Sequence, residues 1–352
     1  MKTDEIMLKM VTLLVALAFT LNTNAQLITD KLVDVGQMKA KNFDEAPKKV
    51  FIKNFKVYYQ MIAEAEKTIY GGRQMGGGAY KGNATARLAV GVDGVDADQL
   101  QQLTNQIYND YVNKLKGLGM EVYNSRDFPD LEFFAEDELL DGPRINLEQI
   151  EGSLMVVPDG FSYYVKRVTK KGKEKGGFIS SMGGAAVSEF SSSIYHKGLP
   201  KVSQELDDMI VVDAAINVPS IYLDPKSALG TVKIKGGAYL RLENARVTYA
   251  SGKLNKPGAA APDKYIEMIL KEPVLIDGVF GKQDFKSQAS KKTTTVPSYA
   301  PFFTVENTSV ELSNTIVCKS EDYTREVGNA VTAFLDFSIS KLKDGLSGEK
   351  VK

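Results

Sequence analysis

The chain has 352 residues, 43% of them hydrophobic, with 44 Lys+Arg against 44 Asp+Glu, one Cys and one His. This is globular composition, and a net charge of zero argues against a dedicated nucleic-acid binder. One Cys excludes a disulfide within the chain, and one Cys with one His leaves no soft-metal ligand cluster.

Lys9 precedes the apolar run 10–21, MVTLLVALAFTL, and Thr23-Asn24-Ala25 offers a small-residue cleavage site. That is the pattern of a secretory signal, and the run is too short for a transmembrane helix. Residues 1–25 are therefore read as an export signal, with the mature chain starting at Gln26. Asp4 and Glu5 are unusual in a signal, and Met7 gives a second candidate start.

Residues 26–48 read as a lead-in segment, with 27–41 as a short helix. Residues 49–60, KVFIKNFKVYYQ, are rich in β-branched and aromatic side chains and predict a strand. Residues 71–82, GGRQMGGGAYKG, hold six glycines in twelve positions and read as a flexible loop. Gly77 and Gly82 have P-loop spacing, but Asn83-Ala84 follows where a P-loop has Lys and Ser or Thr.

Residues 85–123 form the clearest unit. Ala86, Leu88, Val90 and Val92 alternate with Arg87, Ala89 and Gly91, as in a half-buried strand. Asp93-Gly94 is a turn signal. Asp96 and Gln99 make a capping box, and Val95 and Leu100 have the spacing of a hydrophobic staple. Leu100, Leu103, Ile107, Tyr111, Leu115 and Leu118 recur on one helical face, with Gly117 and Gly119 as C-cap candidates. A second strand follows at 120–123. Asp93, Asp96 and Asp98 are close together, but their order does not match a calcium loop, so they read as turn and cap.

Residues 131–140 and 146–152 read as short helices, 154–157 and 161–168 as strands, 170–177 as a loop tip, and 199–208 as a helix with Pro200 in its first turn. Residues 209–218, 220–223, 229–234 and 237–247 predict antiparallel strands, with turns at Asp224-Pro225, Lys235-Gly236-Gly237 and Ala250-Ser251-Gly252. Residues 256–262 read as a break and 264–270 as helical. Residues 274–280 and 302–312 read as strands separated by the polar loop 286–298. Cys318 reads as a buried strand residue. Residues 321–342 predict a closing helix, with Tyr323, Val327, Val331, Phe334 and Leu342 along one stripe.

His196 sits in a turn-like context with no nucleophile motif nearby, and no acid/base pair stands out. No catalytic residue, metal site or cofactor is assigned. The candidate interaction loops are Arg73, Met75, Tyr80 and Lys81, and the lysine-rich tip Lys170, Lys171, Lys173 and Lys175. The first loop is expected to order on assembly or partner binding, with a plain connector as the alternative.

The order of elements supplies a resemblance. The strand 49–60, a long helix from Asp96 ending in glycine and leading into a strand at Tyr123, the short strand 154–157, the antiparallel block 237–252 and the closing helix 321–342 resemble the curli-secretion-channel lipoprotein family. That family and its envelope relatives share an anticodon-binding-like α/β domain. The chain departs from them in lacking a lipidated cysteine after Ala25 and in having a polar, lysine-rich 286–298.

The sequence thus predicts an α+β protein whose central mixed or antiparallel sheet is covered by the helices 96–117 and 321–342, with an additional antiparallel block. The expected organisation is a signal (1–25), a lead-in (26–48), an α/β core (49–255) and C-terminal strands with the closing helix (256–352). The expected role is a non-enzymatic envelope assembly or interaction module at the periplasm or outer membrane. Its expected partners are an envelope protein or itself, with contact to an anionic membrane surface and no nucleic acid. The alternative is an exported solute- or glycan-binding protein using Tyr58, Tyr59, Tyr163 and Tyr164 as contact aromatics.

Overall fold

The strand-forming run at 49–60 lies inside the largest sheet. The computed structural model describes residues 28–69, 84–175, 198–228, 231–254, 262–287 and 312–351. In chain order it contains β1 (Val33–Met38), a 3-10 helix (Ala40–Glu45), β2 (Lys49–Gln60), β3 (Ile62–Ile69), β4 (Ala84–Asp93), α1 (Ala97–Gly117), β5 (Glu121–Asn124) and a second 3-10 helix (Glu132–Phe134). Then come β6 (Glu138–Asp141), β7 (Arg144–Ile150), β8 (Ser153–Val157), β9 (Ser162–Val165), β10 (Arg167–Val168), β11 (Glu174–Lys175), α2 (Gly198–Glu205) and β12 (Ile210–Val218). The chain continues with β13 (Ile221–Ala228), β14 (Thr231–Ala238), β15 (Arg241–Leu254), β16 (Pro262–Leu270), β17 (Val274–Leu275), β18 (Asp284–Lys286), β19 (Asn314–Val317) and α3 (Ser320–Leu346).

A nine-stranded mixed sheet runs β1-β16-β15-β12-β2-β8-β7, with β5 on β2 and β17 on β15. β2 is parallel to β12 and β5 and antiparallel to β8. Two three-stranded sheets, β13-β14-β18 and β19-β4-β3, stand beside it.

One face of the large sheet is covered by α1 and α3. The helix stripes read in the sequence are buried at Leu100, Leu103, Ile107, Tyr111 and Leu115 of α1 and at Tyr323, Val327, Val331, Phe334 and Leu342 of α3, whereas Leu118, also read on the first stripe, is half-buried at the C-cap. Phe55 on β2 meets the edge of Tyr108 at 5.1 Å between ring centroids. Buried hydroxyls cross-link the layers, Tyr111 Oη to Tyr249 Oη at 2.9 Å and Tyr249 Oη to Ser338 Oγ at 3.0 Å. Burial pushes the Tyr249 phenol up to about 12, so the chain of hydroxyls stays neutral at any physiological pH.

The capping box is present in full. Asp96 Oδ1 accepts from the Gln99 N–H at 2.8 Å, and Gln99 Oε1 accepts from the Asp96 N–H at 3.0 Å. Gly94 adopts a φ of 103°, and a Cβ there would overlap the Cys318 carbonyl oxygen. Gly94→Ala is therefore expected to cost about 1–3 kcal/mol from backbone strain alone, as read by denaturant unfolding.

Several sequence expectations are corrected. Residues 28–41 form no α-helix; Val33–Met38 instead pairs antiparallel with β16, and a 3-10 helix begins only at Ala40. The expected helices at 131–140 and 146–152 are a single 3-10 turn and the strands β6 and β7. The expected helix at 264–270 is β16, held on both sides by β1 and β15. Here ladder pairing overrides a weak local helical pattern.

The expected turns at Asp224-Pro225 and Lys235-Gly236-Gly237 lie inside β13 and β14 and pair with each other, Asp224 opposite Lys235 and Pro225 opposite Ile234. Pro225 is tolerated because β13 is an edge strand. A Cβ at Gly236 would lie 2.5 Å from Leu223 Cδ2, so glycine permits that close pairing. The Gly252 turn is a bulge in β15, with a φ of 77°. The strand expected at 274–280 is reduced to Val274–Leu275.

Candidate functional site

On β12, alternate residues face opposite sides of the large sheet. Val212, Ala214 and Ile216 join the core under the helices, whereas Val211 joins a second apolar cluster with α2. Asp213 shares the side of Val211, away from α1 and α3, and a polar row crosses the sheet there. Asp213 Oδ1 accepts from Arg246 Nη2 at 2.7 Å, and its Oδ2 accepts from Lys53 Nζ at 3.4 Å. Thr248 Oγ1 accepts from Arg246 Nη1 at 3.3 Å and donates to Glu267 Oε1 at 3.0 Å. A register shift in β2 between the partners of Val212 and Asp213 skips Lys53, so both Lys53 and Asn54 reach Asp213.

A second buried cluster closes the same side. Glu174 on β11 is 2% exposed. Its carboxylate accepts from Lys56 Nζ (3.1 Å), Arg144 Nε (2.9 Å), Asn146 Nδ2 (3.1 Å) and Tyr163 Oη (2.8 Å). Burial pushes the Glu174 carboxyl up, but the Lys56 charge and these hydrogen bonds outweigh it and hold the group below its ordinary value. Each of these charges is paired, the usual condition for burying them.

The lysine-rich tip is a closed hairpin. The Gly172 N–H donates to Thr169 O at 2.8 Å, the Thr169 N–H to Lys173 O at 2.9 Å, and the Lys166 N–H to Lys175 O at 2.8 Å. Lys170, Lys171 and Lys173 are exposed on it, and Lys175 is half-buried. Arg73, Met75, Tyr80 and Lys81, the other candidate loop, lie outside the described residues, as does His196. The two loops are therefore not brought together by any described contact. Tyr58, Tyr59 and Tyr163 are buried, at 0%, 0% and 1% exposure, which leaves only half-buried Tyr164 of the four tyrosines for ligand contact.

Cys318 is half-buried just after β19, with its thiol donating to Asp93 O at 3.3 Å. Burial pushes that thiol up to about 11, which suppresses the thiolate. No cluster of metal-ligating residues occurs among the described residues.

A surface feature carries no motif and was missed in the sequence. Among the described residues, the three most exposed large hydrophobics are Val317 (59%), Leu275 (44%) and Tyr239 (40%). They are joined by a chain of contacts. The Gln283 amide clasps the Val317 backbone, accepting from its N–H and donating to its carbonyl, each at 3.1 Å. The Gln283 carbonyl accepts from the Ala238 N–H at 2.9 Å, next to Tyr239. Arg241 lies over the Tyr239 ring at 4.7 Å and stands directly opposite Leu275 across the β15–β17 pair. Tyr222 meets the edge of Tyr239 at 6.2 Å. Glu243 and the Tyr239 carbonyl fix the Arg241 guanidinium in place.

No protein-family model, no curated protein and no solved structure matches the chain. Among the described residues no helix is long and apolar enough to cross a membrane.

Proposed function

We propose that the protein is an exported, non-enzymatic cell-envelope module that assembles with itself or with an envelope protein. The observation that carries this reading is the strip Tyr239–Arg241–Leu275–Val317. Tyr and Arg are the residue types that dominate interface energetics, and here a guanidinium already ordered over a ring stands opposite the exposed Leu275, with exposed Val317 linked to them through Gln283. Such a strip loses little conformational entropy on docking, because Gln283, Glu243 and the strand ladders already hold it. The Lys9, 10–21 and Ala25 pattern supports export, and the element order supports kinship with the curli-secretion-channel relatives.

The test is the double variant Tyr239→Ser with Leu275→Ser. Both positions are exposed, so folding stability should change by about 0.5 kcal/mol or less per site. The full-length protein should self-associate in size exclusion with light scattering, or retain a discrete partner when purified from envelope fractions. The double variant should weaken that association at least tenfold. Unchanged oligomers and partners in the variant would defeat this reading. N-terminal sequencing of envelope-derived protein checks export; the expected first residue is Gln26, and an intact Met1 or Met7 would contradict it.

A further inference from the structure

Residues 166–175 carry six cations, Lys166, Arg167, Lys170, Lys171, Lys173 and Lys175, and one acid, Glu174. The acid points inward. Both its oxygens are taken up by Lys56, Arg144, Asn146 and Tyr163, so it neutralises buried charge and not the lysines around it. The hairpin is also tied to the edge of the large sheet, since Gly172 O accepts from Asn146 Nδ2 at 3.0 Å and the Glu174 N–H donates to Gln149 Oε1 at 3.0 Å. Two acids stand at its base: Asp137 faces Lys166, and Glu138 accepts from the Val168 N–H. Glu148 lies beside Gly172. Among the described residues none forms an ion pair with Lys170, Lys171 or Lys173.

We infer that this hairpin is a docking element for an anionic phospholipid surface, a contact separate from the Tyr239 strip. The buried Glu174 cluster holds the turn rigid, and the three tip lysines project from it as flexible point charges. The three tip lysines are exposed at a hairpin turn, and lysine ammonium groups lack the planar fork that selects one carboxylate or phosphate geometry. Both properties suit a fluid, laterally mobile sheet of negative headgroups more than a single structured acidic site.

The experiment is co-sedimentation of the full-length protein with vesicles of phosphatidylglycerol and phosphatidylcholine, and with phosphatidylcholine alone. The test variant is Lys170→Ser/Lys171→Ser/Lys173→Ser. The control is Lys116→Ser/Lys343→Ser, which removes exposed lysines from the helix-covered side. At roughly fivefold per lysine near an anionic surface, the triple variant should bind phosphatidylglycerol vesicles about a hundredfold more weakly. The control should bind within about twofold of the parent, and raising salt should release the parent protein. Equal losses in both variants, no binding by the parent, or equal binding to phosphatidylcholine alone would each overturn the inference. Tighter binding to soluble polyglutamate than to vesicles would overturn it in favour of an acidic protein partner. Circular dichroism melts of both variants show that a loss of binding is not a loss of fold.

Discussion

Glu174→Ala is expected to destabilise the protein by about 3–5 kcal/mol in denaturant unfolding, because it leaves the buried Lys56 ammonium without the carboxylate that balances it. Lys56 is 6% exposed, with its ammonium 3.1 Å from Glu174 and 4.8 Å from the Tyr163 ring centroid. Removing the carboxylate also strips an acceptor from Tyr163, Asn146 and Arg144. The buried donors Lys56, Asn146 and Tyr163 then carry a desolvation cost, whereas the half-buried Arg144 can turn to water. Glu174→Gln should cost less, since the amide oxygen still accepts.

The acid response has a definite sign. The folded Glu174 pKa lies below its ordinary value of 4.5, so its stabilising contribution is present above that pH and is lost as pH falls through the folded value. The parent should therefore lose stability more steeply below about pH 4.5 than Glu174→Gln does. Parallel pH–stability curves would show that the carboxylate is not the anchor described. A double-mutant cycle with Lys56→Met gives the coupling directly, and the double variant should lose less than the sum of the two singles.

Residues that interact over short sequence distances are legible in the sequence; those that interact across the fold are not. Asp96 and Gln99 are three residues apart, and their reciprocal bonds follow from that spacing alone. The α1 and α3 stripes follow from helical period in the same way. Glu174 meets Lys56 across 118 residues of chain, and no local pattern marks that pair. The lysines around Glu174 were legible as a charged tip, but the inward turn of the one acid was not.

The second strand block shows a different failure. Asp224-Pro225 and Lys235-Gly236-Gly237 carry turn-forming residues, yet they sit opposite each other in one ladder. Proline and glycine there answer to an edge position and a close backbone approach, both tertiary facts. The Val317–Tyr239–Leu275 strip is assembled from three separate strands or their flanks, so its exposure appears only once the sheets are in place.

Leu103→Ala and Ile107→Ala should each cost about 2–5 kcal/mol, whereas Gln102→Ala and Asn109→Ala should cost about 0.5 kcal/mol or less. Leu103 and Ile107 are 4% and 3% exposed, on the stripe of α1 that faces the sheet and α3, while Gln102 and Asn109 face outward. The larger figures combine the lost transfer of the side chain from water with the cavity it leaves behind. Leu103 sits where α1 meets α3: a Cβ added at Gly328 would lie 3.1 Å from Leu103 Cδ1. That geometry makes the two positions interdependent. In the parent, Gly328→Ala gains helix propensity, about 1 kcal/mol, but presses on the leucine. With Leu103 already cut to alanine, the pressure is gone and the added methyl fills part of the cavity. Gly328→Ala should therefore stabilise the Leu103→Ala protein by more than it stabilises the parent. Denaturant unfolding of the four proteins decides it. Additive effects, or equal costs on the two faces of α1, would show that the helices do not meet at this contact.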